Sequence, residues 1–428
     1  MEKALRPQRL NELFEQHAQE QYTRELLFSN LVNLMSLVVC GICPSVNAAY
    51  RVQAQELNVT RNAVYSKLNG VELQVSAALL RTTAQELGEL VATTGGALPP
   101  ALEGYQVRIL DGNALAATER RLAVLRSVAA APLPGKSLVV LDPHCRLAVD
   151  IFPCEDGHAQ ERRLFPDVLQ TVQTGQLWLA DRNMCTVEFL LGIVQRQADF
   201  VIREHKNLPQ QAVRELQFVG RIKGGELWEQ PIEMTKAEQC LPLRRLVLRF
   251  DKPNRHGDTE IVVLTSLPTA ITAAVVMALY RQRWQVEGLF LTVTQNFEGE
   301  IKTLTYPKAA LFSFSLALVA YNILATLKAA LASVHGVGKI EAALSDFYVV
   351  DELQATYRGM MIAIPPSYWQ DFQAMPLDDL ADLLKHLALR VNIKRFLKQP
   401  RKQKQKKPPL ISDPQRPHVS TAKLLAQD

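Results

Sequence analysis

The sequence predicts an α/β protein: a mixed sheet covered by helices, with an all-helical N-terminal region, a β insertion and a helical C-terminal region. Three observations carry this. Residues 1–92 alternate apolar runs with charged stretches and are poor in glycine, which reads as helix throughout. From about 105 the pattern becomes strand, two strands, helix, strand, helix, the order of a sheet with helical cover. Residues 200–267 then break into short β-like pieces, with Lys223-Gly224-Gly225-Glu226 as a hairpin turn. These changes divide the chain into 1–95, 96–199, 200–268, 269–345 and 346–428, with 200–268 inserted between two parts of one core.

Composition sets the class. A chain of 428 residues, 48% apolar and 21% charged, suits a globular protein of two to three domains. The net charge of +5 is mild but uneven: residues 390–407 carry nine Lys or Arg and no acid. Such a run points to nucleic acid or another anionic surface. From about 398 the tail is rich in Lys, Gln and Pro and is expected to be disordered. The six cysteines are scattered, and the start MEKALRPQRL has no apolar core. A reducing cytoplasm is therefore expected, with no signal peptide. Cys40 and Cys43 form a lone Cys-x-x-Cys without the second pair that zinc would need, and read as free thiols. Residues 309–327 are uncharged and almost of membrane length. The polar Ser313, Ser315, Tyr321, Asn322 and Thr326, and the lack of a matching span, favour a buried core helix and no membrane.

Within the N-terminal region, 45–72 reads as a helix-turn-helix. Leu57-Asn58-Val59 is the turn, Thr60 the N-cap and 61–68 the second helix. Arg61, Asn62, Tyr65 and Lys67 are then candidate DNA contacts, an ordinary helical hairpin being the alternative. Residues 93–100 are a breaker cluster. The strand at 105–111 puts Val107, Ile109 and Asp111 on one face, and Asp111-Gly112-Asn113 is good turn chemistry. Strands follow at 136–142 and 146–152, and a helix at 161–171. The strand at 177–181 places Asp181 on the face of Leu177 and Leu179, and a helix at 186–197 follows.

Residues 278–302 read as one helix with Tyr280, Arg283, Glu287 and Thr294 on a narrow stripe. Beside them lies an apolar face of Leu279, Val286, Leu289, Phe290 and Val293. Glu287 beside that face needs a cation, a proton or a metal. Asp111, Asp181 and Glu287 thus come from three distant segments, two at strand ends and one on a helix able to cover the sheet. Converging carboxylates repel, and their oxygens suit a hard divalent ion, Mg²⁺ or Mn²⁺. Two such ions can hold the attacking and leaving oxygens of an in-line phosphoryl displacement. Singly, each aspartate also suits a turn or a helix cap, and Arg283 with Glu287 also suits an ordinary i,i+4 ion pair. Asp142, Asp150, Glu298 and Glu300 are rival acids.

The spacing Tyr280, Arg283, Glu287, set in YRQRWQVEGLF, resembles the signature helix of the insertion-sequence-four family of DDE transposases. RILDGN and WLADRN resemble that family's first and second aspartate strands, and the resemblance spans about 100–330. It implies an RNase H-like catalytic core, with Asp111, Asp181 and Glu287 as catalytic metal ligands. It implies that Tyr280 and Arg283 hold the DNA end, and that an element-end complex contains at least a dimer. The family carries Lys seven residues after the Glu. Here that position is Thr294, which leaves Lys302 or Lys308 as substitutes. The function implied is a bacterial, cytoplasmic, nucleoid-associated DNA transposase. It would bind terminal inverted repeats of double-stranded DNA, hydrolyse a phosphodiester and join the 3′-hydroxyl to target DNA. A junction nuclease of the same fold, or a transposase-derived DNA-binding protein without activity, are the alternatives.

Overall fold

The computed structural model describes residues 2–21, 23, 25–236, 239–254, 257–399, 415 and 417–427. The chain opens with five helices: α1 (Pro7–His17), α2 (Phe28–Val39), α3 (Val46–Leu57), α4 (Arg61–Asn69) and α5 (Leu73–Thr94). The helix-turn-helix forms as its capping residues dictate. Asn58 ends α3 in the left-handed conformation (φ 49°), and the Thr60 hydroxyl accepts from the Ala63 N–H to start α4. Val64 and Leu68 bury the inner face of α4.

Next come β1 (Gln106–Ala114), α6 (Ala123–Arg126), β2 (Ala131–Leu133), β3 (Lys136–Asp142), β4 (Leu147–Cys154), α7 (Phe165–Thr171), β5 (Gln176–Ala180), α8 (Val187–Gln195) and β6 (Asp199–Arg203). Two 3₁₀ turns, Glu161–Leu164 and Arg182–Met184, precede α7 and α8. The expected β-rich stretch forms β7 (Gln211–Ala212), β8 (Gln217–Ile222), β9 (Gly225–Lys236), β10 (Gln239–Phe250) and β11 (Glu260–Thr265). Among the described residues these strands extend one sheet, ordered β4-β3-β1-β5-β6-β11-β10-β9-β7, with β8 on β9. The β4-β3-β1 pairs are antiparallel and β1-β5-β6 are parallel. The β insertion therefore continues the core sheet through β6 and β11.

The two faces of the sheet follow the period of two. Val107, Ile109, Leu177 and Leu179 face one core with the long helices, while Leu110 and Trp178 face another under α7 and α8. The first core also takes in α2 and α5, so the N-terminal helices are built into it. Its centre is α11 (Pro307–His335), which is long and apolar enough to cross a membrane and is mostly buried in this fold. Three of its buried polar side chains find partners, while the buried Ser313 hydroxyl has none among the described residues. Asn322 pairs through both amide atoms with the Ala148 backbone on β4 at 2.8 Å each, and Ser315 and Thr326 bond back to their own helix. After α11 come α12 (Val337–Ala343), α13 (Asp346–Ala363), α14 (Asp371–Ala374) and α15 (Leu377–Arg390).

Three expectations need correction. β1 does not turn at Asp111-Gly112-Asn113; it runs on to Ala114 because β3 pairs with it as far as Ala114↔Lys136. The expected helix over 278–302 is two helices, α9 (Ala273–Gln282) and α10 (Gln285–Asn296). At the junction the backbone tightens to i→i−3 bonds, Arg283 N–H to the Tyr280 carbonyl and Val286 N–H to the Arg283 carbonyl. α10 ends because Phe297 is extended and the Glu298 N–H bonds to the Val39 carbonyl. Lastly, the end of the tail is ordered: β12 (His418–Ser420) pairs in parallel with β2, and α16 (Thr421–Leu425) follows. The His418–Ser420 segment finds its partner in the edge that β2 offers. Residues 400–407 of the basic run lie outside the described residues.

Candidate active site

Asp111 and Asp181 reach the same place by register. The parallel β1–β5 ladder ends at Leu110↔Ala180, and the next residue on each strand is an aspartate. Both project to the face of Val107, Ile109, Leu177 and Leu179 that α9 and α10 cover. Each carboxylate is held by a nearby backbone N–H: Gly112 to Asp111 Oδ1 at 2.9 Å, and Asn183 to Asp181 Oδ1 at 2.8 Å.

The third member arrives from the α9–α10 junction. Arg283 donates to Asp111 Oδ2 at 2.7 Å and to Glu287 Oε1 at 3.0 Å. The Arg283 side chain is 10% exposed, whereas that of Glu287 is 44% exposed. Glu287 therefore does more than pair along its own helix, because its cation is shared with a strand residue 172 positions away. Burial, joined by the charges of Asp181 and Glu287, pushes Asp111 from 3.8 up to about 6, although Arg283 and the Gly112 N–H pull the other way. Burial would lower Arg283, but Tyr280, Asp111 and Glu287 outweigh it and raise it. Tyr280 is 5% exposed and lies behind the guanidinium, where it backs Arg283 rather than facing solvent. Trp284 is exposed, with the Arg283 guanidinium 5.3 Å from its ring centroid.

Among the described residues no three acidic, His or Cys side chains are gathered closely enough to hold a metal ion as they stand. At this site the guanidinium fills the space between Asp111 and Glu287, as a stand-in cation. The donor set itself, carboxylate oxygens with no sulfur or imidazole, fits a hard divalent ion. Arg283 Nε is buried with no hydrogen-bond partner among the described residues, so the guanidinium is not fully satisfied where it lies.

The rival acids are accounted for elsewhere. Asp142 pairs with Arg108 at 2.9 Å and caps the β3–β4 turn. Asp150 pairs with Arg81. Glu300 accepts from the Ala116 backbone, and Glu298 is exposed beyond α10. Thr294 is exposed on α10 and its hydroxyl bonds back to the Phe290 and Leu291 carbonyls. Lys302 is exposed in the loop after α10, where its carbonyl accepts from the Glu119 N–H. In the helix-turn-helix, Arg61 and Asn62 are exposed together at the start of α4. Lys67 instead lies 4.1 Å over the Phe14 ring, half-buried, apart from that pair. One carboxylate escaped the sequence reading. Glu161 stands against Gly112 and feels the charge of Asp181. In the sequence it was one acid at the start of a helix, with no signal that set it apart.

Residues 136–323 match the model of the transposase DDE domain. The matched span holds Asp181 and Glu287 and begins beyond Asp111. A protein of Sinorhizobium fredii named "Putative transposase y4zB" is 24% identical over 200 residues, covering 44% of this chain and 52% of that protein. The chain thus spans about half the length of this curated relative. Among solved structures, the cryo-EM structure of the piggyBac transposase synaptic complex with hairpin DNA aligns at a TM-score of 0.35 and 11% identity, over 87% of this chain and 82% of that one.

Proposed function

We propose that this chain is a DNA transposase whose catalytic core is RNase H-like, with Asp111, Asp181 and Glu287 as its metal-binding residues. The observation that carries the reading is the register: two aspartates leave adjacent parallel strands side by side, and Glu287 meets Asp111 across one buried guanidinium. The strand order β4-β3-β1-β5-β6, three antiparallel strands followed by two parallel ones, supports the core assignment. The similarity of 136–323 to transposase DDE domains supports the reaction class.

Asp111, Asp181 and Glu287 would hold Mg²⁺ or Mn²⁺, which when bound supplies the Lewis acid that stabilises charge on the phosphoryl oxygens and activates the nucleophile. The chain's own residues do the rest. The Gly112 and Asn183 N–H groups fix the aspartates before any ligand arrives. Arg283 exchanges its bonds to Asp111 and Glu287 for a DNA phosphate, which frees both carboxylates and places a fork of N–H donors beside the scissile bond. Tyr280 backs that move from the buried side. In the first step water attacks phosphorus and the 3′-oxygen leaves; in the second that 3′-hydroxyl attacks a target phosphate. Arg61 and Asn62 at the start of α4 read the terminal repeats in double-stranded DNA, and the basic run at 390–407 adds sequence-independent affinity. Pairing of two ends calls for at least a dimer of this chain, acting in a bacterial cytoplasm at the nucleoid.

A strand-transfer assay tests this. A labelled duplex carrying the DNA that flanks the coding sequence is incubated with the full chain, Mg²⁺ and a target plasmid. Label joined covalently to the plasmid is expected. Cleavage without joining would move the assignment to a junction nuclease, and no cleavage in Mg²⁺ or Mn²⁺ would overturn the catalytic reading.

A further inference from the structure

We propose that Glu161 is a positioning residue of this site, locking the aspartate-bearing ends of β1 and β5 together. The inference rests on the functional reading above and goes beyond its three carboxylates. Glu161 opens the 3₁₀ turn Glu161–Leu164, which the buried Leu164 and Phe165 anchor under the sheet. Its carboxylate lies on the Gly112 backbone. A Cβ at position 112 would sit 2.2 Å from Glu161 Oε1 and 2.7 Å from its Cδ, so any side chain there displaces the carboxylate. Gly112 is not in the left-handed region, so the glycine serves this close approach and not a turn. The same carboxylate accepts a hydrogen bond from the Asn183 side chain.

Both contacts lead to an aspartate. The Gly112 N–H holds Asp111, and the Asn183 backbone N–H holds Asp181. Glu161 thus bridges the two residues that fix the two carboxylates, with Lys136 at the start of β3 as its facing cation. Residues that orient ligands in this way typically change metal affinity by about 10–100-fold when lost.

The test uses the full-length chain and Mn²⁺ alone, titrated calorimetrically without DNA, alongside thermal unfolding. Glu161→Ala is expected to weaken Mn²⁺ binding about tenfold. Glu161→Gln keeps an oxygen that accepts from Asn183 and is expected to stay within about threefold of wild type. Gly112→Ala, which pushes the carboxylate away, should mimic Glu161→Ala, and combined with it should add little. Wild-type Mn²⁺ affinity in Glu161→Ala overturns the proposal, as does a Glu161→Gln protein as weak as Glu161→Ala, which would make the charge itself the requirement. If Gly112→Ala does not fold, the two Glu161 variants decide alone. A wild-type chain that binds no Mn²⁺ fails the triad reading and the positioning role with it; wild-type binding unaltered in Glu161→Ala fails the positioning role only.

Discussion

Asp111→Asn should stabilise the metal-free protein while destroying the site. Asp111 is charged at neutral pH in a place that disfavours its charge: its side chain is 17% exposed, and Asp181 and Glu287 add repulsion that Arg283 only partly offsets. The rise from 3.8 to about 6 corresponds to about 3 kcal/mol that the charged form costs the fold. The attraction of Arg283 is already inside that figure, because it acts on the same charge. Above about pH 6 the carboxylate is ionised in both folded and unfolded chains, and the full cost is present. As pH falls, the folded chain takes up its proton before the unfolded chain does, so the cost shrinks and vanishes below about 4. Asparagine mimics the neutral form. Urea unfolding in EDTA should therefore find Asp111→Asn more stable than wild type by up to about 3 kcal/mol at pH 8, with the gap narrowing toward pH 4.5. A variant less stable than wild type at pH 8, or a gap that ignores pH, would refute the argument that Asp111 is held charged against its surroundings.

Other predictions follow from the same geometry. Thr294→Lys adds a cation on the exposed face of α10, about two turns beyond Glu287, and should strengthen end binding about tenfold in a gel shift. Unchanged binding, together with loss of binding in Lys302→Ala, would hand the role to Lys302. Arg61→Ala with Asn62→Ala should remove most discrimination between flanking and random DNA, at about 1–3 kcal/mol per lost base contact, and preserved discrimination would exclude α4 as the reader. Point variants are the right tool, because deleting residues 1–92 would also remove most of α5 from the core it shares with α11 and β4. Asn322→Leu leaves both Ala148 backbone groups unpaired against α11 and should cost about 2–4 kcal/mol by urea unfolding, whereas a neutral result would mean the pairing is dispensable.

Much of this was legible in the sequence, for definite reasons. A period of two put Asp111 with Val107 and Ile109, and Asp181 with Leu177 and Leu179, on the covered face of one sheet. Capping residues fixed the helix-turn-helix, since Asn58 and Thr60 carry their instructions locally. What escaped was set by contacts distant in sequence. The break at Arg283 has no Pro or Gly to announce it; it coincides with the pull of the guanidinium toward Asp111 on β1. Strand pairing with β3, not local turn propensity, decided the fate of Asp111-Gly112-Asn113. The strand at His418–Ser420 depends on the edge that β2 offers. Glu161 gains its place only because the 3₁₀ turn brings it onto Gly112. The carboxylate pattern was local; the partners that tune it were not.

The most direct measurement is the rate at which new 3′-hydroxyl ends appear on labelled flanking DNA in Mg²⁺. Wild type is compared with Asp111→Asn, Asp181→Asn and Glu287→Gln, each scored for DNA binding by gel shift in the same buffer. The account predicts that each variant loses cleavage by a factor of about 1,000 or more, as removal of a metal-held transition-state contact would give, while binding stays within about threefold of wild type. Near wild-type cleavage by any one of the three, or cleavage by wild type that persists in EDTA, would contradict it.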